Sequence, residues 1–125
     1  DDLDDALAGL LEACASTGTR AVLVHTDVHA ARLVEMAADA GIRVPEDLAV
    51  IAYDDDTAAL ALVPLTAVTA PGRDLGQQAL RTLMERIAED GDERSAPRHL
   101  TMLPRLTVRT SCGAHPLTPA LSDLA

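Results

Sequence analysis

Apolar residues in the first segment fall at Leu3, Ala6, Leu7, Leu10, Leu11 and Cys14. That spacing marks one face of a helix, and Gly18 suits its C-terminal stop. Asp1, Asp2, Asp4 and Asp5 crowd the first turn, where the helix dipole favours negative charge. The pattern then changes. Arg20-Ala21-Val22-Leu23-Val24-His25 is short and nearly continuous in apolar residues, which predicts a strand buried on both faces, as parallel sheets require. Val28 to Ala40 returns to helical spacing and stops at Gly41. Leu48-Ala49-Val50-Ile51-Ala52-Tyr53 is a second buried-strand pattern, ending in Asp54-Asp55-Asp56.

This alternation predicts an α/β fold with a parallel sheet and right-handed crossovers. A third strand is expected over Leu65 to Thr69. Arg73 to Asp90 predicts a long amphipathic helix with Leu75, Ala79, Leu83 and Ile87 on one stripe. Gly91 to Pro97 reads as a polar loop. His99–Leu103 and Leu106–Thr110 are expected strands, interrupted by Pro104, and residues 113–125, with Pro116 and Pro119, an extended tail.

Composition narrows the function. A chain of 125 residues, 48% hydrophobic, can bury one core. It has one Tyr and no Phe or Trp, so that core must be aliphatic. Lys is absent, and all ten basic residues are Arg. A net charge of −10 repels phosphate backbones, so this chain is not expected to bind DNA by itself. No apolar run is long enough to span a bilayer, and the start lacks the basic segment of a signal peptide, so a cytoplasmic setting is expected. The chain also lacks an initiator Met, and is expected to be a fragment of a longer protein. Cys14 and Cys112 fit no metal spacing, and Cys14 reads as a core residue.

Ligands of open α/β sheets bind beyond the carboxyl ends of the strands. Two such ends carry polar clusters, His25-Thr26-Asp27 and Asp54-Asp55-Asp56. A hydroxyl that donates and accepts, together with carboxylates that accept, suits a ligand rich in hydroxyl groups, such as a sugar or nucleoside. Thr26, Asp27, Asp54 and Asp55 are the candidate contacts. Other roles stand beside these: Asp27 as the N-cap of the following helix, Asp55 and Asp56 as solvated turn residues, and Asp54 as the acceptor of an Asx turn. Enzyme chemistry finds little support. His25, Asp27 and His29 would be splayed by a helix starting at Asp27, so no metal is expected. There is no phosphate-binding Gly-Lys-Ser/Thr loop and no Gly-x-Ser-x-Gly elbow. Ser111-Cys112 with His115 falls in the expected mobile tail, a poor place for a triad. The reading is a binding domain that is no enzyme and needs no cofactor.

The stretch Gly41-Ile42-Arg43-Val44-Pro45-Glu46-Asp47-Leu48-Ala49-Val50-Ile51-Ala52-Tyr53-Asp54-Asp55 resembles the signature of lactose-repressor (LacI/GalR) family regulators. In order, Thr26-Asp27 with Ala30, Pro64-Leu65-Thr66-Ala67-Val68, Pro71 with Leu75-Gly76, and Leu106-Thr107-Val108-Arg109-Thr110-Ser111 resemble further family motifs. The resemblance covers Ala6 to Cys112. It implies a three-layer, periplasmic-binding-protein-like I fold. Residues 1–112 would be the C-terminal part of the sensor domain: 1–72 and 105–112 mainly second lobe, 73–104 crossing to the first lobe. The implied function is that of a transcription regulator, a repressor responding to a sugar or similar small hydroxylated metabolite. DNA would be bound only through a helix-turn-helix head outside this chain.

Thr26 and Asp54 map onto effector contacts of the family. Ala70 stands where a ligand-contacting Gln is common, and Ala52 where Gly is usual. The resemblance also implies a homodimer through Ala31, Val34, Glu35, Ala38, Leu60 and Leu62. Burial of those residues within the lobe is the alternative. A neighbouring chain could instead cover the stripe of the long helix. The competing function is a solute-binding protein of a sugar transporter. The Val-Pro-Glu-Asp and Pro-Leu-Thr features favour the regulator.

Overall fold

The computed structural model describes residues 2–89 and 95–114. In chain order they form α1 (Asp2–Thr17), β1 (Ala21–His25), α2 (Asp27–Asp39), β2 (Ala49–Tyr53), β3 (Thr66–Thr69), α3 (Gly72–Ala88) and β4 (Arg105–Thr107). Short 3-10 turns cover Ala58–Leu60 and Thr110–Cys112. The sheet order is β1-β2-β3-β4. β1, β2 and β3 run parallel, with Ala21 opposite Ala49, His25 opposite Tyr53, and Tyr53 opposite Val68. The expected α/β class is therefore present. No helix among the described residues is long and apolar enough to cross a membrane.

By its internal contacts the chain divides into two units, one drawn from Asp1–Thr69 and Leu106–Ala125, the other from Ala70–Arg105. The first unit holds the core. α2 buries Ala30, Leu33, Val34 and Ala37, the spacing of one helical face. These meet Val50 and Ala52 of β2 and Leu7 and Leu11 of α1. Both helices are ended by glycine at positive φ, Gly18 at 70° and Gly41 at 75°. The Ile42 N–H donates to the Ala37 carbonyl at 2.8 Å, and the Gly41 N–H to that of Ala38 at 3.0 Å. Those are the two bonds of a Schellman stop, a backbone shape that glycine adopts without a Cβ penalty.

Several expectations change. α2 begins one residue early, at Asp27, so Thr26 and not Asp27 is the N-cap residue. β1 is buried on one face only: Val24 is 8% exposed and Leu23 is 65% exposed. As an edge strand it packs under α2 through alternate residues, and no described residue of its unit covers Leu23. His99–Leu103 is not a strand. A strand needs a neighbour to share its ladder, and the second unit offers none among its described residues. The strand expected at Leu106–Thr110 shrinks to Arg105–Thr107, followed by the turn at Thr110–Cys112. Ser111, placed in a mobile tail by sequence, is fully buried. His115, Asp90 and most of the expected 91–97 loop and 113–125 tail lie outside the described residues.

The second unit is α3 and the segment after it. No residue of α3 is buried. Leu75, Ala79, Leu83 and Leu100 help line an open hollow of about 370 Å³. Arg98 bridges back to Glu85 at 2.8 Å.

Candidate functional site

The register fixes the site. His25 and Tyr53 are opposite one another as the last paired residues of β1 and β2. Thr26 and Asp54 each follow by one residue, so both lie at the carboxyl edge of the sheet. The Asp54 N–H donates to the Val68 carbonyl at 2.9 Å, which brings β3 to the same edge. Thr69 follows Val68 there, a third polar residue that sequence reasoning did not single out. The His25 and Tyr53 rings stack at 5.1 Å with 18° between their planes. The one aromatic residue of the chain therefore does contribute a ring beside this edge, a pairing that depends on strand register. The His25–Thr26 peptide bond is cis.

The four candidate side chains divide into two kinds. Asp27 is buried, 3% exposed. Its Oδ2 accepts the Thr57 N–H at 2.5 Å and the Thr57 hydroxyl at 3.0 Å. Burial pushes this carboxyl up, but the Thr57 donors and the N–H groups of Val28 and Ala58 outweigh it and hold it below the usual 3.8. Asp55 meets Arg109 in a two-pronged ion pair, with Nη1–Oδ1 at 2.7 Å and Nη2–Oδ2 at 2.9 Å. That pair is mostly shielded from water, its side chains 15% and 22% exposed. Asp55 is thus not the freely solvated turn residue that its sequence position suggested.

Thr26 and Asp54 are different. The Thr26 hydroxyl makes no capping bond to α2. Asp54 enters none of the ion pairs among the described residues. Its backbone lies at φ 75°, a region in which Asp is tolerated better than most residues. One hydroxyl and one carboxylate at the same edge, neither in an ion pair or cap bond among the described residues, can accept from and donate to hydroxyls of a ligand.

Sequence reasoning missed the two residues that build this edge, Thr57 and Arg109. The signal for Arg109 was a charged residue beside a segment that had to join the sheet, since a buried guanidinium needs a carboxylate. Arg109 also donates from Nη1 to the Leu65 carbonyl at 2.7 Å. Its backbone N–H donates to the Thr66 hydroxyl oxygen at 2.9 Å. Next to it, Ser111 Oγ accepts the Thr66 N–H at 2.9 Å and donates to the Val50 carbonyl at 2.5 Å.

The expected pairing surface is mixed. Leu60 and Leu62 are 85% and 66% exposed. Ala38 and Glu35 are exposed, Ala31 is half-buried, and Val34 is in the core. Glu35 is held by Arg32 at 3.1 Å. Val34, Ala38, Ile42 and Val63 help line an open hollow of about 390 Å³ beside this surface, at the α2 end remote from Thr26.

The family model of the periplasmic binding protein-like domain matches residues 2–112. The HTH-type transcriptional repressor PurR of Photobacterium profundum is 39% identical over 92 residues, covering 73% of this chain and 27% of that protein. The transcription regulator GntR of Chromobacterium violaceum superposes with a TM-score of 0.73 at 30% identity, over 90% of this chain and 41% of its own. The regulator CelR in complex with cellobiose superposes at 0.70 with 32% identity, over 87% and 33%. The chain spans about a quarter of the length of the curated relative and about a third to two fifths of these structures. The chain belongs to the periplasmic binding protein-like domain family.

Proposed function

We propose that this chain is the C-terminal part of the effector-sensing domain of a LacI-type transcriptional repressor, and that Thr26 and Asp54 contact the effector. The observation that supports the reading is the parallel register that brings the Thr26 and Asp54 positions to the same carboxyl edge of β1 and β2. The relatives named as repressors support a regulator over a transporter's solute-binding protein. The effector class is a small hydroxylated molecule. Two structural relatives were solved with cellobiose and with sucrose. Asp27 and Asp55, with their oxygens engaged by Thr57 and Arg109, serve the edge as supports. The protein performs no catalysis in this reading, and it reaches DNA only as a whole regulator.

The test is titration calorimetry of the full-length protein against cellobiose, sucrose, glucose and a purine nucleoside. Asp54→Ala should cost about 1–3 kcal/mol of binding to whichever ligand binds, as for a lost charged hydrogen bond. Unchanged affinity refutes the contact. Homodimerisation through the exposed Leu60 and Leu62 is the further part of the proposal. Leu60→Asp with Leu62→Asp should shift the full-length protein toward monomer in sedimentation, and an unchanged dimer would exclude that surface.

A further inference from the structure

The segment Asp54–Thr57 bridges β2 to the turn at Ala58–Leu60, and besides the Asp54 N–H bond to Val68 it is fastened by side chains at two of its four residues. Asp55 is gripped by both prongs of Arg109. The Thr57 N–H and hydroxyl are gripped by Asp27. Arg109 is itself anchored three ways: to the Leu65 carbonyl through Nη1, to the Thr66 hydroxyl through its N–H, and, two residues on, to β2 and β3 through buried Ser111. Asp54 lies between β2 and the Arg109 grip, at a positive φ that few side chains adopt freely. A residue held in such a conformation persists only when its surroundings over-determine it. Of the two side-chain grips on this segment, the Asp55–Arg109 ion pair is the one on the residue directly after Asp54.

We propose that Arg109 is a positioning residue for Asp54: it touches no ligand, and it holds Asp55 so that the Asp54 carboxylate stays aimed at the carboxyl edge of the sheet. This rests on the reading of Asp54 as an effector contact. A Lys at this position keeps the charge but loses the planar fork, so it can replace one of the two Asp55 bonds and not both.

The experiment is amide hydrogen exchange on the full-length protein without ligand, comparing wild type with Arg109→Gln and Arg109→Lys. Exchange at Asp54 and Thr57 should rise about tenfold or more in Arg109→Gln while Val50 and Ala52 change less than about twofold, with Arg109→Lys intermediate. A uniform rise at all four amides would make Arg109 a general fold element and overturn the proposal. No rise at Asp54 and Thr57 would overturn it as well. The Asp54→Ala titration separates the two readings. A rise in exchange with unchanged ligand affinity in Asp54→Ala removes the effector contact and leaves the loop-ordering role. Lost affinity in Asp54→Ala without a rise in exchange keeps the contact and removes Arg109 from it.

Discussion

α2 and α3 have the same kind of sequence pattern, and the structure treats them oppositely. Each carries apolar residues at helical spacing. α2 buries Ala30, Leu33 and Ala37 completely, whereas α3 leaves Leu80, Leu83 and Ile87 between 54% and 68% exposed. The difference lies outside the helices. α2 is delivered by a β-α-β connection onto the two strands that flank it, and a crossover of that kind must lie on its own sheet. α3 leaves β3 and enters a unit whose other described residues form no regular element. Periodicity thus establishes that a helix forms and which side is apolar, and topology decides whether anything is there to receive that side.

The comparison can be broken most sharply in the core. In this chain, Leu65→Ala should cost about 2–5 kcal/mol in urea unfolding, because Leu65 is fully buried and its removal leaves a cavity. Leu83→Ala in α3 should change stability by no more than about 0.5 kcal/mol. Equal costs would show that the stripe of α3 is buried after all.

A smaller effect is expected at the support of the site. Asp27→Ala should lose about 2–3 kcal/mol, since a buried charged acceptor of Thr57 disappears and its donors are left unpaired. The sign of the pH dependence follows. The Asp27 carboxyl is held below the usual 3.8 in the folded protein, so its contribution is complete above about pH 4 and fades as pH falls through the lower folded value. Acid unfolding curves of wild type and Asp27→Asn should therefore converge at the acid end. Curves that stay parallel would deny the charge its role.

A smaller effect again is expected at the end of α2. Gly41→Ala meets no atom within 4 Å, so its cost is that of the backbone alone at φ 75°, about 1 kcal/mol. A neutral result would mean that the stop of α2 relaxes easily.

The sequence made the first unit readable because its signals are local. Short apolar runs marked β1, β2 and β3, glycines marked both helix stops, and the polar clusters marked the carboxyl edge. It did not reveal which aspartates were engaged. Asp54 and Asp55 are chain neighbours of the same type, and only the arrival of Arg109, 54 positions later, separates them. Ser111 was misread for the same reason: a polar residue near a Pro-containing end gives no local sign that it will bridge Thr66 and Val50. The bare face of β1 was likewise hidden, since an apolar run is the same whether one face or two is covered.

The position of Ser111 in the chain has a consequence for how the protein comes to its final state. The two backbone groups that it joins lie 45 and 61 residues before it. Contacts of such separation are made late and slow the approach to the native state. During N-to-C synthesis, β1, α2, β2 and β3 exist before Arg109 and Ser111 emerge, so the Thr66 N–H and the Val50 carbonyl wait for their Ser111 partner until the chain after β4 reaches them.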